Sequence, residues 1–183
     1  FRSIDISNFD MKNMEQFESI FSGCTSLTRV KLPNSIAPNL KSLKYLFSNC
    51  ESLTFVNFSK AMNYSTKNLS ELEEMFSGCV SLKSIDFSNL KTNILSNTKN
   101  MFNNCTSLTS LDLSNFKTVQ LKMDNMFFNC KNLSYIDISN FGIPLSYNDC
   151  ITNFPSKGKI RLNKNISNII KKFVPKTWDF DII

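Results

Sequence analysis

Apolar residues recur along this chain in one fixed order. Phe-x-x-Cys-x-x-Leu occurs at Phe21/Cys24/Leu27, Phe47/Cys50/Leu53, Phe76/Cys79/Leu82, Phe102/Cys105/Leu108 and Phe127/Cys130/Leu133. Successive cysteines of this set are 26, 29, 26 and 25 residues apart. A fixed period of that length marks a stacked repeat architecture. After each Leu comes an alternating apolar pair: Val30/Leu32, Val56/Phe58, Ile85/Phe87, Leu111/Leu113 and Ile136/Ile138, with Ile4/Ile6 opening the chain. Period two with these residue types predicts a short strand with one buried face. Ser-Asn then stands at Ser7-Asn8, Ser88-Asn89, Ser114-Asn115 and Ser139-Asn140, and these residues end strands by bonding nearby backbone.

Before each Phe the spacing changes. Met14, Phe17, Ile20 and Phe21 are spaced 3, 3 and 1, as are Leu40, Leu43, Leu46, Phe47 and Leu69, Leu72, Met75, Phe76. This predicts one face of a short helix. The pattern weakens before Phe102, where Thr98 interrupts, and before Phe127, where Met123 and Met126 remain. Each unit therefore reads as turn, short helix, turn, strand. One such unit cannot bury its own apolar face, and stacking neighbours supplies the core. The longer third unit is expected to loop outward around Met62–Lys67.

The pattern fades after Phe141. Pro144, Pro155 and Gly158 punctuate the C-terminal stretch, and Ile160-Arg161-Leu162 reads as a last strand. Ile166, Ile169, Ile170 and Phe173 predict an amphipathic helix ended by Pro175, and the alternation of Trp178, Phe180 and Ile182 predicts a strand that finishes the sheet. The expected organisation is a repeat stack over residues 1–141, of about six rungs, and a last rung with a C-terminal cap over residues 142–183. The chain opens at Phe1 in mid-repeat, which reads as a fragment truncated at its N-terminal end.

Leu108-x-x-Leu111-x-Leu113 is the strand signature of leucine-rich repeats. The fuller string Met101-Phe102-Asn103-Asn104-Cys105-Thr106-Ser107-Leu108-Thr109-Ser110-Leu111-Asp112-Leu113-Ser114-Asn115-Phe116 closely resembles the BspA-like leucine-rich repeat surface proteins. These have repeats of about 25 residues, a subgroup shared with mycoplasma-type lipoproteins. The resemblance covers residues 1–141. It implies an α/β fold: a leucine-rich-repeat-type right-handed solenoid, with a parallel β-sheet on the concave face and short helices on the convex face. One departure matters. The usual ladder Asn position holds Phe116, Phe141 or Leu90, and the Asn comes one residue earlier. The resemblance also implies a secreted or surface-anchored, adhesin-like module that binds a protein partner such as a host or matrix protein.

Composition narrows the chemistry. Apolar residues make up 42% and charged residues 20%, which supports a folded core. No apolar run is long enough to span a membrane, so no insertion is expected in this segment. His is absent, which removes the commonest general base and metal ligand. Ser–His and Cys–His nucleophile pairs are excluded, as are the usual zinc triads. We expect no catalytic residues, no metal and no cofactor. The net charge of +6 is concentrated at the end, in Lys157, Lys159, Arg161, Lys164, Lys171, Lys172 and Lys176. A solvated cap and an anionic partner both fit that cluster. No aromatics interleave it as a stacking platform, so nucleic acid is not expected.

Five cysteines share one repeat position. Cys24, Cys50, Cys79, Cys105 and Cys130 are expected to form an inward structural column beside Phe21, Phe47, Phe76, Phe102 and Phe127. Buried free thiols fit this register best, with adjacent-rung disulfides and a redox or metal role as alternatives. Cys150 lies outside the column and is the expected exposed thiol. On the other face of each strand, Asp5, Lys31, Asn57, Asp86, Asp112 and Asp137 point outward, as do Ser3, Arg29, Phe55, Ser84, Ser110 and Tyr135. Asp86, Asp112 and Asp137 on consecutive rungs require compensation, from Ser84, Ser88, Ser110, Ser114 and Ser139, from a partner or from a cation. Arg29, Lys31, Phe55, Asn57, Asp86, Asp112, Tyr135 and Asp137 form the expected recognition surface, since exposed aromatics and Arg dominate binding hot spots. Of six Asn-x-Ser/Thr sequons, Asn63 and Asn68 are expected to be the accessible ones. Three functions fit: a surface protein-binding module, an architectural spacer and an intracellular interaction scaffold.

Overall fold

Three residues separate successive inward side chains across most of each repeat. Between 37 and 53 the buried set is Ala37, Leu40, Leu43, Leu46, Phe47, Cys50 and Leu53. The computed structural model, which describes residues 1–35, 37–58 and 66–183, explains this spacing by consecutive turns. Leu46, Cys50 and Leu53 donate their N–H groups to the carbonyls of Leu43, Phe47 and Cys50, at 3.3, 3.0 and 3.1 Å. The alternate N–H groups leave the rung altogether. Leu43, Tyr45, Phe47 and Asn49 donate to Glu71, Glu73, Met75 and Ser77 of the next repeat, at 3.0, 3.0, 2.9 and 2.7 Å. The expected helices therefore do not form, and a ribbon of stacked turns takes their place. Among the described residues the one α-helix is α1, Lys164–Ile170.

The reason lies in two backbone positions per repeat. Ser19 and Gly23, Tyr45 and Asn49, Glu74 and Gly78, Asn100 and Asn104, Asn125 and Asn129, and Asp149 and Asn153 all have φ between 49° and 74°. A residue in this left-handed region breaks a right-handed helix. A helix this short is also costly to nucleate, whereas the ribbon satisfies its N–H groups between rungs. In five repeats the second of these residues is the Gly or Asn directly before the Cys, which is a sequence signal against helix.

Gly78 has φ +74°, and an added Cβ would lie 2.3 Å from Asn49 Oδ1. Gly78→Ala is expected to lower stability by about 2 kcal/mol. Ser19→Gly, at an exposed position with φ 58°, should raise it by up to about 1 kcal/mol. Urea denaturation of the two variants checks the opposite signs, and a shift in the same direction would refute the assignment.

Strands form where the two-residue alternation predicts them. β1 (Ser3–Asp5) pairs with β2 (Arg29–Lys31), and β3 (Phe55–Asn57) pairs with β4 (Ser84–Asp86). β6 (Ser110–Asp112), β8 (Tyr135–Ile138), β9 (Lys159–Leu162) and β10 (Asp179–Ile182) make a four-stranded sheet in that order. All pairs are parallel and in register by repeat position, for example Leu111 against Ile136. The ladder is thus several small sheets rather than one continuous sheet. A further pair departs from the repeat pattern: β5 (Thr92–Asn97) and β7 (Phe116–Lys122) form their own two-stranded parallel sheet between strand face and turn ribbon.

Aromatic rings run through the core. Phe21, Phe47, Phe76, Phe102 and Phe127 stack in sequence with centroids 5.3, 5.4, 5.8 and 5.9 Å apart and planes within 14° of parallel. Phe58, Phe87 and Phe116 form a second column beside it, at 5.4 and 5.1 Å. Phe154 meets Phe127 edge-on and stacks on Trp178, which closes the column at the C-terminal end. The expected last strand, helix and closing strand are β9, α1 and β10.

The turn ribbon does not stop at Phe141. Met123, Asn125, Phe127 and Asn129 donate N–H groups to Ser146, Asn148, Cys150 and Thr152. Cys150 thereby falls at the inward position that Met126 holds one rung earlier. It is buried, not exposed, and the half-exposed thiol is Cys24. Of the expected outward loop at Met62–Lys67, residues 62–65 lie outside the described residues, and so does the sequon at Asn63.

Candidate functional site

β2, β3 and β6 each present one apolar residue inward and two residues outward. In β2 Val30 is buried while Arg29 and Lys31 are exposed, and in β3 Val56 is buried while Phe55 and Asn57 are exposed. β6 repeats this with Leu111 inside and Ser110 and Asp112 outside. In β4 Ser84 is exposed and Asp86 half-exposed. Six of the eight expected recognition residues therefore lie on one face: Arg29, Lys31, Phe55, Asn57, Asp86 and Asp112.

The other two differ from expectation. Asp137 is only 4% exposed, and Tyr135 is half-buried. Both sit on β8 inside the four-stranded sheet, where β9 lays Lys159 and Arg161 beside them. The Arg161 guanidinium lies 3.9 Å from Asp137 and 3.7 Å from Asp181. The cap's cations thus cover this end of the face. Burial raises the Tyr135 hydroxyl above its ordinary pKa, as does the negative field of Asp137 and Asp112.

The aspartates hold the turns that end their strands. Oδ1 of Asp86, Asp112 and Asp137 accepts the backbone N–H of Ser88, Ser114 and Ser139, each at 2.9 Å. The Ser114 hydroxyl adds a second bond at 2.6 Å. Compensation therefore comes from the serine two residues on, and Ser84 and Ser110 are not its donors. Asp5 does the same with Ser7 and also pairs with Lys31 at 3.1 Å. The Ser7 hydroxyl, the Ser7 N–H and Lys31 together hold the Asp5 carboxyl at about 2. Just beyond, the displaced Asn positions form a ladder. The Asn115 and Asn163 amides donate to the carbonyls of Ser88 and Ser139 at 3.1 and 3.0 Å, and Asn140 does so to Ser114.

The cysteine column is structural. Cys50, Cys79, Cys105 and Cys130 donate their thiols to the carbonyls of Phe21, Phe47, Phe76 and Phe102 one rung back, at 3.0 to 3.1 Å. All six cysteines are free. Burial pushes the thiols of Cys50 and Cys130 up to about 12, and those of Cys79 and Cys105 higher still. Burial thus disfavours the thiolate that redox or metal chemistry would use. Among the described residues, no three His, Cys, Asp or Glu side chains come together as a metal site.

A second surface leaves little trace in the sequence. Ile94, Val119 and Leu145 are 45%, 51% and 61% exposed on successive rungs. They line a groove of about 380 Å³ with Glu71, Asn97, Gln120 and Lys122. Of the sequons, Asn68, Asn132 and Asn165 are exposed, and the side-chain amides of Asn68 and Asn132 donate to the carbonyls of Pro38 and Thr106 at 3.0 and 2.7 Å.

Comparison with known proteins finds two family models. Residues 41–169 match the family described as Mycoplasma protein of unknown function, DUF285. The model described as BspA type Leucine rich repeat region matches in six copies, at residues 1–70. No curated protein and no solved structure matches the chain.

Proposed function

The chain belongs to the DUF285 family and its repeats are BspA-type leucine-rich repeats; on that basis we propose that it is a non-catalytic protein-binding module of a cell-surface protein. Its partner meets the outward strand face, which is the concave side of a right-handed leucine-rich-repeat solenoid. The observation that carries this reading is the placement of Arg29 and Phe55 at one repeat position on neighbouring rungs, both exposed, Phe55 at 45%. A large aromatic beside an Arg on a face already held rigid by stacked rungs loses little freedom on binding. Lys31, Asn57, Asp86 and Asp112 surround them with polar groups that fix orientation.

Among the described residues no helix is long and apolar enough to cross a membrane. Six free thiols favour a second reading, an interaction scaffold in a reducing compartment. Both readings use the same face. An immobilised panel of matrix and host-surface proteins tests the first, by surface plasmon resonance at physiological salt. Saturable binding to a panel member is expected, weakened about 30-fold or more by Arg29→Ala with Phe55→Ala. The loss should come without a change in thermal stability, because both side chains project from the core. Binding that survives the double substitution would place recognition elsewhere, and the groove beside Val119 would be tested next.

A further inference from the structure

We propose that the strand face recognises a second copy of this chain, docked two-fold with the order of rungs reversed. The proposal rests on the reading of that face as a binding surface and names its partner. It comes from how charge is laid out across four neighbouring rungs. One outward column runs Arg29, Phe55, Ser84, Ser110, and the other runs Lys31, Asn57, Asp86, Asp112. The basic residues stand at one end and the acidic ones at the other, with Phe55 between them.

A two-fold axis parallel to the strands, passing between β3 and β4, exchanges these ends. It sets β2 of one copy against β6 of the other and β3 against β4. Lys31, which also pairs with its own Asp5 at 3.1 Å on the exposed surface, then faces the second copy's Asp112, Asn57 faces its Asp86, and Arg29 stands beside the same acidic pair. Phe55 of each copy covers Ser84 of the other at the centre. An isologous contact needs one self-complementary patch, and this face supplies it. The alternative axis, along the stack, would keep each rung against itself and set Arg29 on the second copy's Lys31, so that the two basic ends meet and the two acidic ends meet, which like charges oppose. Each aspartate remains able to take part. The following serine engages Oδ1 of Asp86 and Asp112, which leaves the second oxygen of each carboxylate for a cation, and Asp112 is exposed. Lys83, one residue ahead of β4, stands at the rim.

Sedimentation velocity of the whole chain between about 10 µM and 1 mM, in low and high salt, tests the proposal. The wild type is expected to shift from monomer to dimer with concentration, and the shift should weaken in high salt. A variant with Arg29→Asp and Lys31→Asp has two acidic ends, and one with Asp86→Lys and Asp112→Lys has two basic ends. Each alone should remain monomeric, and an equimolar mixture should form a heterodimer. Circular dichroism of each variant reports that it has folded, and the mixture provides the rescue that a merely damaged fold would not give. A wild type that stays monomeric throughout, or variants that dimerise as it does, would overturn the proposal. Binding to a panel protein lost with Arg29→Ala and Phe55→Ala, and no dimer, would leave the face a recognition surface for another partner. A dimer with no panel binding would support the homophilic contact alone.

Discussion

Replacing Phe76 by Ala is expected to cost about 3–5 kcal/mol of folding stability, the range for truncating a fully buried aromatic. The ring is at the centre of the molecule's aromatic packing. It stacks on Phe47 and Phe102 at 5.4 and 5.8 Å and meets Phe58 and Phe87 edge-on at 6.5 and 6.2 Å. Its truncation opens a cavity bounded by four other rings, and those rings are themselves held by neighbouring rungs, so collapse is limited. Phe21 at the start of the same column stacks on Phe47 alone. Phe21→Ala is therefore expected to cost less, by about 1–2 kcal/mol. Guanidinium unfolding of the two variants measures the difference. Equal losses would mean that the column does not act as a continuous core. The expected loss at Phe76 is a large part of the stability of a domain this size, about 5–15 kcal/mol, so this variant should be only marginally folded at 37 °C.

Alkaline pH should unfold this protein earlier than its composition suggests. A thiol ordinarily ionises at 9.0, but burial raises Cys50, Cys130 and Cys150 to about 12 and Cys79 and Cys105 beyond ordinary values. The folded pKa lies above the unfolded one. The stabilisation is thus fully present below pH 9 and is lost as pH rises toward 12, because the unfolded chain releases protons that the folded chain keeps. Each such thiol costs about 1.4 kcal/mol per pH unit above 9. Five of them together take away on the order of 7 kcal/mol by pH 10. Denaturant midpoints measured from pH 7 to 10.5 should fall steeply above pH 9. A Cys79→Ala/Cys105→Ala variant should show about three fifths of that slope from thiols, though it starts from a lower stability at pH 7. The tyrosines add a fall of the same sign, since burial also raises Tyr45 and Tyr135, and the variant separates the two sources. An unchanged slope in the variant would mean that the column's thiols ionise in the folded state.

Much of the fold is legible because the repeat averages out local ambiguity. One Phe-x-x-Cys-x-x-Leu string says little, but five in register locate the ring column, the thiol column and the strands. The strand face comes with them, because alternation along β2, β3 and β6 depends only on which side is buried. The closing helix is also legible, since Ile166, Ile169 and Ile170 come after an Asn163 that accepts the Asn165 N–H as an N-cap.

The failures have one physical cause. Apolar residues three apart fit a helix face and a chain of three-residue turns equally well, and hydrophobic spacing does not say where the backbone N–H groups go. In this molecule they go to the next rung. The Gly or Asn before each Cys carries that information, through its tolerance of positive φ, and only the neighbouring repeat makes sense of it. Asp137 and Cys150 differ from expectation for a related reason. Asp137 is covered by Arg161 from β9, and Cys150 is buried because residues 146–153 add a further rung to the ribbon, and both depend on contacts between segments whose own pattern is weak.

Periodicity encodes which side of the chain meets the core. The repeat, its inward and outward residues, the free thiols and the closing elements can therefore be read along one dimension. Turn ribbon over helix, several small sheets over one, and which outward residues stay open are settled only in three. Those outcomes depend on hydrogen bonds and cover supplied by another rung, and no single repeat contains them.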